Sequence, residues 1–131
     1  MRRPIVTALF LSACLACSPA LAGGEKKKGG GLSFLQLKPL AATIMRADGS
    51  RGVLTVEAGI DAKDEALYAR AQSSMPRLRA ALVTVVQNHA QGMGPGAAPS
   101  ADRLAADLQR ETDRILGRSG GKILLGTLMM N

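Results

Sequence analysis

Behind the dipeptide Asp48-Gly49 runs a segment, Arg51 to Ile60, whose side chains alternate in kind. Val53, Thr55, Glu57 and Gly59 fall on one side, and Leu54, Val56, Ala58 and Ile60 on the other. A period of two is the period of a β-strand, so the segment reads as a half-buried strand whose second set faces a core. Ala47-Asp48-Gly49-Ser50 forms the turn before it, because Asp-Gly tolerates the positive φ that tight hairpins demand. Ala41 to Arg46 supplies the preceding strand, with Phe34-Leu35-Gln36-Leu37 leading into it. Pro39 has no N–H to give to a ladder and puts the start of that strand at an edge. A hairpin alone is marginal in water, so the remaining elements must cover its apolar face.

The period changes after Ile60. Leu67, Ala71, Met75, Leu78, Leu82, Val85 and Val86 recur every three or four residues, the stripe of an amphipathic helix. Asp61 is the expected N-cap, with Asp64 and Glu65 near the positive end of the helix dipole. Pro76 predicts a kink or short break near Ser74, which could cap a second segment. The helix is expected to end around Asn88 to Gln91. Gly92 to Ser100, GMGPGAAPS, is a loop by composition. Ser100 caps a second helix, Ala101 to Leu116, with Leu104, Leu108, Ile115 and Leu116 inward, Ala101 and Ala105 beside them, and mixed charge outside. Gly117 is placed to end it in a left-handed turn.

Lys122 to Asn131, KILLGTLMMN, is the final strand. Simple alternation puts Ile123, Leu125 and Met129 on one side and Leu124, Leu128 and Met130 on the other. Helices can cover only one of these sides, which leaves the other for self-association or a partner. The expected fold is α+β: two layers, a three-stranded, mainly antiparallel sheet covered by two helices, in the order β-β-α-α-β.

The N-terminus carries an address. Arg2-Arg3 precede an uncharged apolar run from Ile5 to Cys17, then Ser18-Pro19, then Ala20-Leu21-Ala22 before Gly23. Charge, apolar core and small-residue exit make a secretory signal peptide, cleaved between Ala22 and Gly23. The run is shorter than the roughly 20 residues a membrane span takes. Leu11-Ser12-Ala13-Cys14 also fits a lipobox, in which Cys14 would be lipidated; that alternative leaves only Ile5 to Phe10 as a core. The chain thus divides into a signal at 1–22, a Gly/Lys linker at 23–31 (GGEKKKGGG) and a domain at 32–131. Cleavage after Ala22 removes both cysteines, Cys14 and Cys17, so the domain must be held by its core without a disulfide.

The net charge of +7 falls to about +5 without Arg2 and Arg3, and Lys26-Lys27-Lys28 belong to the linker. Phe34 and Tyr68 are the only aromatics after the signal. Base stacking needs aromatic faces, so a nucleic-acid partner is not expected. Membrane contact is expected only through a lipid on Cys14 or the basic linker.

No motif carries catalysis. Gly117 to Lys122 looks like a phosphate loop, but the spacing is wrong and the order is helix then strand, the reverse of what the loop requires. His89, the single histidine, reads as a helix C-terminal residue. Asp61, Asp64 and Glu65 read as a helix N-terminus rather than as a metal or acid-base cluster. Met129 and Met130 point to opposite faces and, with Met93 in the loop, do not make a thioether copper site. No catalytic residue, cofactor or metal is therefore expected.

With these elements in place, the domain resembles the flagellar basal-body-associated FliL family over about residues 34–131. The resemblance rests on the Leu37-Lys38-Pro39-Leu40 opening, the strand Val53-Leu54-Thr55-Val56-Glu57, the helical segment Met75-Pro76-Arg77-Leu78-Arg79-Ala80-Ala81-Leu82, the helix Leu104 to Leu116 and the apolar last strand. It implies a stomatin/prohibitin-like α+β fold and a non-enzymatic periplasmic interaction protein. It also implies protein partners in the flagellar stator or basal body and a capacity to form homo-oligomers. FliL proteins normally keep an N-terminal transmembrane helix, where this chain carries a cleavable signal.

Overall fold

A computed structural model describes residues 33–131. The signal segment with Cys14, Ala22 and Gly23, and the linker at 23–31, lie outside the described residues. The elements are β1 (Phe34–Gln36), β2 (Leu40–Met45), β3 (Arg51–Ala62), α1 (Glu65–Ser73), α2 (Met75–Gln91), α3 (Ala101–Leu116) and β4 (Gly121–Met130). The described residues are α+β with an antiparallel sheet, as the sequence implies, but with four strands and three helices in place of three and two.

Both extra elements come from interruptions. β1 and β2 pair with the same edge of β3, Phe34 opposite Asp61 and Leu40 opposite Val56, so they are two pieces of one edge strand. Leu37-Lys38-Pro39 sits between them, opposite fewer residues of β3, and the Leu37 amide still donates to the Ala58 carbonyl at 3.1 Å. Proline cannot continue the ladder, so the strand breaks there. In the helical region the expected interruption near Ser74 is a break and not a kink: Pro76 lies in the first turn of α2, where its missing N–H costs nothing. Ser74 joins α1 to α2 without a side-chain cap; its amide donates to the Arg70 carbonyl.

The first helix begins later than its acidic run suggests. β3 continues to Ala62 because β1 and β4 both pair with its end, so Asp61 stays in the strand. Asp64 is the N-cap instead, accepting from the Ala66 amide at 2.9 Å. α3 follows its sequence signals. Ser100 Oγ accepts from the Arg103 amide, and Gly117 closes the helix at φ 75°.

β3 is the middle of the sheet, with β4 on its other edge. Leu54, Val56, Ala58 and Ile60 face a core completed by Leu67, Leu78, Leu82, Val86, Leu104, Leu108 and Leu116 from the helices. α2 packs on β2 and α3 on β4. Thr112 is the one buried polar side chain among the described residues, and its hydroxyl donates to the Leu108 carbonyl at 2.8 Å.

The last strand corrects the expected division of its faces. Its register slips between Val56 and Ala58, where Gly126 and Thr127 together oppose Glu57. This bulge inverts the alternation. Ile123, Leu125, Leu128 and Met130 stand opposite Ile60, Ala58, Val56 and Leu54 on the core side, whereas Leu124 and Met129 stand opposite Gly59 and Thr55 on the outer side.

Three side chains tie the helices to the strand connections. Arg70 donates to the Leu116 carbonyl at 2.9 Å, satisfying the end of α3. Arg118 pairs with Asp64. Gln109 of α3 donates to the Gly121 carbonyl at 2.8 Å and accepts from the Ile123 amide at 2.9 Å. Its amide thereby occupies the free edge of β4 as a neighbouring strand would.

Candidate functional site

Two surfaces have the relief and chemistry for recognition. The first is a cleft of about 570 Å³ between the end of α2, the 92–100 loop and α3. The loop is held to the hairpin side by the Gly96 amide, which donates to the Met45 carbonyl at 2.9 Å with Gly96 at φ 70°. α2 contributes Asn88 and His89, and α3 contributes Ser100, Arg103, Asp107, Arg110 and Glu111.

Ser100, His89 and Asp107 are the residue types of a nucleophilic triad, but they are not wired as one. The Ser100 oxygen is engaged by the Arg103 amide. Asp107 accepts from Arg110 at 2.8 Å. His89 Nε2 is buried and makes no hydrogen bond among the described residues. Glu111 pairs with Arg114, and that guanidinium hydrogen bond holds its carboxyl below the usual carboxylate value. The charges of the cleft are thus largely spent on one another along α3 at helical spacing.

The second surface is the sheet face away from the helices. Val53 is 43% exposed, Leu124 40% and Met129 43%, on neighbouring strands. At one end a hollow of about 460 Å³ opens over Gly59 and Gly126, bounded by Phe34, Gln36, Glu57 and Leu124. The Phe34 ring lies across Gly59 so closely that a Cβ on residue 59 would fall inside it. A glycine in the middle of a strand can mark such an approach. Gly59 was therefore the available signal for this contact, although nothing local names Phe34 as its partner.

The residues weighed from the sequence do not converge. Asp61 sits on the outer face opposite Lys122, Asp64 caps α1, and Glu65 lies in the first turn of that helix. Met93 lines the cleft, while Met129 and Met130 occupy opposite sides of β4. Gly117 ends α3 and Gly121 begins β4, so the glycine-lysine segment runs helix to strand. No group of three or more His, Cys, Asp or Glu side chains among the described residues could hold a metal ion. No described helix is long and apolar enough to cross a membrane. Arg103, Asp107 and Arg110 are cleft residues that sequence reasoning assigned to the charged outer face of α3; only the position of the 92–100 loop turns that face into a wall.

The class defined is a small α+β domain with an antiparallel sheet, one face of which is open. No family model matches the chain, and no curated protein is found to be similar to it.

Proposed function

We propose that this chain is a non-enzymatic, exported interaction protein of the FliL type, working in the periplasm in association with the flagellar basal body or stator. In this reading the domain is a two-layer, stomatin/prohibitin-like sandwich. The observation that carries it is the open sheet face, along which Val53, Met129 and Leu124 remain exposed. Exposed apolar side chains grouped on a strand face mark a surface that another protein covers. The element order, the Leu37-Lys38-Pro39-Leu40 opening and the Met75-Pro76 helix start add support. The unlinked Ser100, His89 and Asp107 favour binding over catalysis. Deleting the gene is expected to reduce swimming in soft agar, and the tagged protein is expected to co-purify with basal-body or stator components. Normal swimming with no such component would remove the flagellar role.

The second reading, favoured by Leu11-Ser12-Ala13-Cys14 and Lys26-Lys27-Lys28, is a lipid-anchored envelope protein unrelated to motility. One acyl chain holds weakly, and a polybasic stretch is a suitable second signal. Intact mass separates the two: a chain beginning at Gly23 without acyl mass fits the first reading, and an acylated chain beginning at Cys14 fits the second.

A further inference from the structure

The open face changes character along β3. Arg51 stands exposed at one end and Glu57 six positions further on, roughly 20 Å along the strand. Neither belongs to an ion pair among the described residues. Between them lie Val53 and Thr55, with Met129 opposite Thr55. Beyond Glu57, Asp61 stands opposite Lys122 without an ion pair among the described residues, and its buried Oδ1, which makes no hydrogen bond there, adds a second carboxylate to the hollow. The face is therefore basic at one end, apolar in the middle and acidic at the other.

The hollow at the acidic end has a specific chemistry. Its floor is Gly59 and Gly126, its apolar walls are Phe34 and Leu124, and its polar groups include Glu57 and Gln36. A carboxylate and an aromatic ring beside an apolar floor suit a guanidinium on a flexible stem. The guanidinium pairs with the carboxylate and stacks on the ring, and the stem covers the apolar surface.

We propose that this face is the contact surface of a two-fold dimer of this chain, in which Arg51 of each copy enters the Phe34–Glu57 hollow of the other. A two-fold axis lying between the sheets and across the strands reverses β3 on itself. It brings position 51 over 57 and 53 over 55, so two ion pairs flank an apolar centre. An axis along the strands would set Arg51 over Arg51 and is disfavoured. A second copy is the occupant because the patch is complementary to itself, which is what an isologous contact requires. Stacked sheets lie about 10 Å apart, within reach of an arginine side chain. About this axis only residues 51–57 of β3 and their neighbours on β2 and β4 face one another, about 20 Å of three strands or roughly 300 Å² per copy, below the standard size for specific interfaces, so the dimer is a weak and transient one.

This inference rests on the outer face being an interaction surface, and its test reads association alone, so it fails or stands separately from any motility role. Sedimentation of the purified chain at concentrations up to about 1 mM is expected to show a reversible monomer–dimer equilibrium. R51E and E57R are each expected to weaken it at least ~10-fold, and the combined R51E/E57R variant to return to within about threefold of the parent. Circular dichroism checks that each variant is folded; should a charge reversal fail to fold, R51Q and E57Q replace the pair. A parent chain monomeric at all concentrations, single variants that dimerise normally, or a double variant no better than the singles overturns the proposal.

Discussion

Gln109 shows how much one surface side chain can decide. Its amide answers the Gly121 carbonyl and the Ile123 amide, two of the backbone groups that the first half of β4 turns away from β3. Replacing it with alanine leaves a partly buried donor and acceptor without partners, which costs about 1–3 kcal/mol. The substitution also lengthens an unprotected edge, a template for strand addition by other chains. Gln109→Ala is expected to lower the urea midpoint and to increase turbidity on heating. Gln109→Glu keeps an acceptor for the Ile123 amide but sets a carboxylate against the Gly121 carbonyl and the Asp113 carboxylate, both of which accept from the Gln109 amide, so it is expected to destabilise at least as much as alanine. None of this was legible in the sequence. Gln109 lies among the charged residues of α3, and only the return of the chain as β4 gives it something to bond. Leu104 and Leu108, by contrast, were readable as inward, because helical spacing alone determines which side they share.

At the scale of elements, local chemistry and long-range pairing divide the outcome. α3 could be read from end to end because its limits are set by its own residues, the Ser100 hydroxyl and the left-handed Gly117. The end of β3 could not, because Asp61 was an equally good helix cap until β1 and β4 claimed it. The phase of β4 also escaped reading, since a bulge is written in the pairing with Glu57 and not in the strand's own composition. Yet the bulge decides which side of β4 is apolar: it sends Leu128 to the core side beside Leu125 and Ile123. Deleting Thr127 would remove the extra residue and leave Leu128 opposite Val56 on the core side in plain alternation, whereas deleting Gly126 and Thr127 together would turn Leu128 outward. We expect the single deletion to be tolerated and the double deletion to cost about 2 kcal/mol, near the value of burying one leucine, measured by chemical unfolding. Truncation after Gly121 removes the whole strand and is expected to leave an unfolded or aggregated chain. A cooperative melt with full circular-dichroism signal would refute the strand's place in the core.

For the whole molecule, charge is arranged on the surface and contributes little to holding the fold. The Asp48 carboxyl is held below its usual value first by the Ser50 hydroxyl and then by the Ser50 amide, and Glu111 first by its hydrogen bond with Arg114. A depressed carboxylate contributes stability above its unfolded value and loses it as pH falls through the folded one. The melting temperature is therefore expected to be nearly flat through neutral and mildly acidic pH and to decline only below about pH 4. The decline is expected to be shallow because both groups are exposed and screened. Glu111→Gln is expected to remove part of it. The broken edge strand has a further consequence, and it is mechanical. β1 meets β3 through three residue pairs and β2 through six, with Pro39 uncoupling them. Tension applied to the chain at Ser33 therefore reaches β1 alone. β1 peels away first, drawing Leu35 and Leu37 out of the core, and yields roughly 20 Å of travel before Leu40 feels the load, so a pull opens one edge of the domain while the β2–β3 ladder still holds.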